Sequence, residues 1–132
     1  MDQNSNNISG QIKKKILMVE DDNAMAGVYV KRLENEGFEV KRVDNGEDAL
    51  ATAVEYHPDL IILDVMMPKI SGFEVLDILK NTPATAQIKV IMLTALGQDS
   101  DQEKAKGLGA DDYLVKSQIV ISEVIDRIKN II

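Results

Sequence analysis

Five short apolar runs, Ile16–Val19, Phe38–Val43, Leu60–Leu63, Lys89–Leu93 and Tyr113–Val115, recur along the chain, and this alternation limits the possible folds more than any other feature. The runs start at 16, 38, 60, 89 and 113, so the spacings are 22, 22, 29 and 24 residues, room each time for a strand, a loop and a crossover helix. Three runs are nearly continuous in Ile, Leu, Val and Met, the pattern of strands covered on both faces in a parallel sheet.

The intervening segments carry helical periodicity. Met25, Tyr29 and Leu33 recur every fourth residue, and Gly37 stands where a helix C-terminal glycine belongs. Ala49, Leu50, Ala53 and Val54 form a second stripe, which His57-Pro58 stops because the residue before a proline is pushed away from helix. Ser71 and Glu74 have capping-box spacing, with Phe73, Leu76 and Leu79 as the inner face of a third helix. The same spacing in Ser100 and Glu103 predicts the start of a fourth, weakly anchored helix with little beyond Ala105 and Leu108 to bury. Ile121, Val124, Ile125 and Ile128 mark a strongly amphipathic fifth. Five strands alternating with five helices predict an α/β, flavodoxin-like (βα)5 doubly wound parallel sheet of strand order 2-1-3-4-5.

A length of 132 residues fits one domain. Residues 1–11, MDQNSNNISGQ, are too polar to repay the entropy of ordering and read as a disordered tail, leaving 12–132 as the domain and nothing for an output domain. The chain has no cysteine, which excludes disulfides and thiolate metal sites. Apolar runs such as Leu60–Leu63 are far too short to span a bilayer and the amino terminus lacks a signal-peptide layout, so a cytoplasmic protein without membrane insertion is expected. The formal net charge is -7, and Lys13, Lys14 and Lys15, the only basic run, read as a solvated flank, so no direct DNA binding is expected.

In doubly wound sheets function collects at the carboxyl ends of the strands. There stand Glu20-Asp21-Asp22 after the first strand, Asp64 after the third, Thr94-Ala95 after the fourth and Lys116 after the fifth. With the first and third strands as neighbours, Glu20, Asp21 and Asp64 converge, and carboxylates that close call for a cation among them. A small hard ion that keeps several waters fits, which means Mg2+ or Mn2+. A carboxylate can attack phosphorus, and that reaction needs charge neutralisation more than covalent help. The metal, the Lys116 ammonium and the Thr94 hydroxyl would supply it. Taken singly, each of these residues has a bland reading as a solvated turn residue, strand former or surface lysine.

The motifs ILMVEDD, LIILDVMMPKISG, IMLTA and DDYLVK resemble the receiver domains of two-component systems over about residues 13–132. The resemblance implies a stand-alone, chemotaxis-regulator-like phosphoacceptor domain of a two-component system or phosphorelay, a signalling protein rather than an enzyme. It implies Asp64 as phosphoacceptor, Asp21 as direct metal ligand, Glu20 as its partner acid and the Met66 backbone carbonyl as a further ligand. Thr94 and Lys116 would contact phosphoryl oxygens, Tyr113 would be the aromatic switch, and Pro68 and Gly72 match the loop after the acceptor. Met66 and Leu96 would flank the path of attacking water. The implied partners are a histidine kinase or phosphotransfer protein upstream and a protein target reading helix four, strand five and helix five. Ser117 stands where the family usually has proline, and the Lys116-Ser117 peptide is expected to be trans.

Two other classes compete. A metal-dependent aspartate-nucleophile phosphatase would need a second aspartate two residues after Asp64, where Met66 stands. A flavin or dinucleotide carrier would need a glycine fingerprint after a strand, whereas Gly107 and Gly109 precede one and Asp112 fills the third place. His57 reads as a helix-end residue, and the methionines at 18, 25, 66, 67 and 92 as core filling.

Overall fold

The computed structural model describes residues 12–132. The proposed tail, residues 1–11, and hence the boundary at 12, lie outside them. In chain order the elements are β1 (Lys15–Val19), α1 (Asn23–Asn35), β2 (Glu39–Val43), α2 (Gly46–Tyr56), β3 (Leu60–Leu63), α3 (Gly72–Lys80), β4 (Lys89–Thr94), α4 (Asp99–Gly107), β5 (Asp112–Val115), a 3₁₀ turn (Lys116–Gln118) and α5 (Ile121–Ile131). All neighbouring strands are parallel, and the sheet order is β2-β1-β3-β4-β5, as expected from the alternation.

Strand periodicity divides the core in two. Leu17, Val19, Ile61, Leu63, Val90 and Met92 face one side with Ala49, Val75, Leu76 and Ala105 from α2, α3 and α4. Their neighbours Ile16, Met18, Leu60, Ile62, Ile91 and Leu93 face the other side with Tyr29, Leu33, Val124 and Ile128 from α1 and α5. The three central strands are therefore buried on both faces, while β2, at one edge, has no fully buried residue. At the end of α1, Gly37 adopts φ +97°, with its N–H on the Glu34 carbonyl and that of Phe38 on Leu33, the paired bonds of a glycine-stopped helix.

Two local expectations need correction. Ser100 does not cap α4: Gln98 occupies the N-cap position without a side-chain bond, and Ser100 lies inside the first turn. Asp99 and Asp101 in that turn place negative charge at the helix start, which lets α4 begin earlier than the capping spacing implied. Met66 is not core filling either, since its side chain is 53% exposed, whereas Met18 and Met92 are fully buried. The weak anchorage of α4 is as expected, with Ala105 its only buried residue. Lys104 adds a tie across to α3, its ammonium 4.7 Å from the centre of the Phe73 ring.

Candidate functional site

Register aligns the site. Val19 pairs with Leu63 and Leu63 with Met92, so Glu20 and Asp64 stand side by side one step beyond the ends of β1 and β3. Both are buried, at 1% and 4% exposed. Lys116, just past β5, reaches back between them, its Nζ 2.8 Å from Glu20 Oε1 and 2.8 Å from Asp64 Oδ2. The remaining carboxylate oxygens turn to backbone: Glu20 Oε2 accepts from the Asp22 N–H at 3.1 Å, and Asp64 Oδ1 from the Met66 N–H at 3.1 Å. Asp22 in turn caps α1 by accepting from the Met25 N–H, which fixes the acidic turn to the helix start.

Burial is the largest influence on Glu20 and lifts its carboxyl above the ordinary range, with the Asp64 charge pushing the same way against the hydrogen bonds from Lys116 and Asp22. For Lys116 burial works against the charge, yet hydrogen bonds and attraction from Asp64 and Glu20 outweigh it, and the ammonium is held above its usual value. Asp21 is exposed, and it offers an oxygen that lies, with one each from Glu20 and Asp64, in a cluster no wider than 4.8 Å. Three carboxylates against one ammonium leave an excess of negative charge that suits a divalent cation, and all-oxygen donors suit a hard one.

The structure thus brings Glu20, Asp21, Asp64 and Lys116 together. Thr94 ends β4 fully buried, with Oγ1 accepting from the Leu96 N–H at 3.4 Å. Tyr113 is half-buried and donates its hydroxyl to the Leu96 carbonyl at 2.8 Å, so Thr94 and Tyr113 both hold the β4–α4 loop. Burial, with the charges of Asp101 and Asp64 behind it, pushes the Tyr113 hydroxyl up to about 12. Gly72 packs against the Asp64 backbone so closely that a Cβ there would lie 2.1 Å from the Asp64 carbonyl oxygen. The peptide after Lys116 is trans, and Ser117 sits in the 3₁₀ turn. Sequence reading missed Arg42, whose guanidinium donates twice to the Glu20 carbonyl. Its only signal was a basic side chain in an edge strand beside the acidic turn.

A five-stranded doubly wound sheet that gathers three acids and a lysine at its carboxyl edge is an arrangement suited to phosphoryl transfer. The chain belongs to the response regulator receiver domain family, whose sequence model matches residues 16–129. It is 41% identical over 115 residues to the DNA-binding dual master transcriptional regulator RpaA of Synechocystis, covering 87% of this chain and 47% of RpaA. It is 43% identical over 102 residues to the phosphate regulon transcriptional regulatory protein PhoB of Rhizobium meliloti, covering 77% of this chain and 45% of PhoB. The chain therefore spans about half the length of these curated relatives. Among solved structures, the chemotaxis response regulator CheY4 of Vibrio cholerae superposes with a TM-score of 0.84 at 26% identity, covering 92% of this chain and all of that one. These relatives are regulators and give no support to the phosphatase reading. A relative named as DNA-binding is at odds with a blanket expectation of no DNA contact, so that expectation extends no further than the acidic domain itself. Among the described residues no helix is long and apolar enough to cross a membrane.

Proposed function

We propose that Asp64 is the phosphoacceptor of this receiver domain, in a reaction that depends on Mg2+ or Mn2+ held by Glu20, Asp21, Asp64 and the Met66 backbone carbonyl. The observation that carries the reading is the Lys116 ammonium 2.8 Å from both Glu20 and Asp64 inside a three-carboxylate pocket. One Asp64 oxygen attacks phosphorus while the bond from phosphorus to the donor breaks. Lys116 and Thr94 then take the phosphoryl oxygens, and the metal, when bound, neutralises charge on the transferred group. The protein promotes its own phosphorylation and dephosphorylation and turns over no separate substrate. The donor is a histidine kinase or phosphotransfer protein, and the setting is the cytoplasm. Intact mass after incubation with acetyl phosphate, with Mg2+ or with EDTA, tests the reading: one added phosphoryl group in Mg2+ and none in EDTA is expected, and equal uptake in both overturns the metal dependence.

The phosphoryl group is expected to be long-lived. Met66 is exposed and Leu96 half-buried, and neither apolar side chain can orient an attacking water. Met66→Asn or Leu96→Glu is expected to quicken phosphate release roughly tenfold, a barrier change of about 1.4 kcal/mol. Unchanged release in both variants removes the idea.

The signal leaves through α4, β5 and α5 to a protein target. With one buried residue, α4 responds to small energies, and a coupling of about 1–3 kcal/mol suffices. Thr94 and Tyr113 meet at Leu96, so Thr94 turning to a phosphoryl oxygen loosens the bond to the Leu96 N–H on the loop that the Tyr113 hydroxyl also holds. A groove of about 500 Å³ between α4 and β5, bordered by Glu103, Lys106, Asp112 and Tyr113, would change shape with it. Amide exchange with and without beryllofluoride is expected to show altered protection in α4 and β5. Changes confined to the Asp64 loop would sink the relay.

A further inference from the structure

The turn bearing Glu20, Asp21 and Asp22 leaves β1 where its ladder to β2 runs out. The last rung is the Glu20 N–H on the Val43 carbonyl at 3.1 Å, after which the chain turns away into the Asn45 cap of α2. Among the described residues no backbone N–H reaches the Glu20 carbonyl. Arg42 takes that place, with Nε at 3.0 Å and a terminal guanidinium nitrogen at 2.6 Å on the one oxygen. Among the described residues Arg42 pairs with no carboxylate, so its planar fork is committed to backbone.

We propose that Arg42 is a positioning residue for the divalent-cation site: it pins the Glu20 carbonyl and so sets the Glu20 and Asp21 carboxylates against Asp64. The inference rests on the metal reading above. Arg42 has two effects of opposite sign on cation binding. Its positive charge near an acidic pocket opposes a cation, so removing that charge alone would tighten binding. Its hold on the turn preorganises the ligands, so releasing the turn weakens binding, as loss of groups that orient metal ligands generally does. Lysine keeps the charge and loses the fork, which separates the two effects.

The test is Mg2+ titration of the full chain, followed by amide chemical shifts of the β1–α1 turn, for wild type, Arg42→Met and Arg42→Lys, with thermal unfolding to confirm that each variant folds. Arg42→Met is expected to bind Mg2+ roughly tenfold more weakly, at the lower end of what such orienting groups contribute. Arg42→Lys is expected to be weaker than wild type as well. Binding by Arg42→Met that equals or exceeds wild type overturns the clamp, and so does Arg42→Lys matching wild type. If Arg42→Met does not fold, the lysine variant decides by that second criterion. A wild type without saturable Mg2+ binding overturns the metal reading and the clamp with it, whereas saturable wild-type binding with unaffected variants overturns the clamp alone.

Discussion

Asp64→Asn is expected to take up no phosphoryl group from acetyl phosphate and Mg2+, while the wild type gains one by intact mass. Asparagine has nearly the volume of aspartate and keeps an oxygen for the Met66 N–H that Asp64 Oδ1 accepts at 3.1 Å. On the proposed reading it lacks the anionic oxygen that would attack phosphorus, in a reaction that needs positioning and charge stabilisation around that oxygen. Lys116 loses one of its two carboxylate partners but keeps Glu20 at 2.8 Å, so the ammonium stays paired. The variant should therefore fold, and lost uptake can be assigned to the missing nucleophile. Its melting transition, measured alongside, checks that step. Uptake by Asp64→Asn equal to wild type would place the phosphoryl group elsewhere and dissolve the site assignment.

What was legible in the sequence follows from where burial imposes a pattern. The central strands β1, β3 and β4 are buried on both faces, so their apolar runs stand out and their spacing dictates a parallel, doubly wound sheet. Once that topology is accepted, the residues just past each strand end are brought to one edge, and Glu20, Asp21, Asp64 and Lys116 could be grouped before any distance was known. The start of α4 was not legible, because Ser100 and Glu103 offer a capping spacing that the chain does not use and the helix buries too little to fix its own frame. Arg42 was invisible for a different reason. Its role depends on the β1–β2 ladder ending at Val43, a matter of register that spacing between parallel strands does not encode. The tie between Tyr113 and the Leu96 carbonyl likewise depends on the path of the β4–α4 loop, which apolar periodicity does not describe.

Gly72→Ala carries the largest expected effect on stability. Gly72 is the first residue of α3, its N–H donates to the Val65 carbonyl at 2.8 Å, and Ser71 before it caps the helix. An added Cβ would stand 2.1 Å from the Asp64 carbonyl oxygen and 2.8 Å from both the Asp64 carbonyl carbon and Val65 Cα. These are backbone atoms, so no side-chain rotation relieves the overlap and the loop must move away from the helix. The expected cost is about 3 kcal/mol, at the upper end for overpacking. At this chain length that corresponds to a fall in Tm of roughly 10 °C or more. Because the displaced backbone is that of Asp64 itself, phosphoryl uptake should also slow in the fraction that remains folded. Gly27→Ala is the matched control: Gly27 lies inside α1 with nothing within 4 Å of its added Cβ. There alanine should stabilise by up to about 1 kcal/mol through helix propensity. The same added methyl group is therefore expected to act with opposite sign at the two positions, and a Gly72→Ala protein that melts with the wild type would show that the Asp64 loop does not need the close approach.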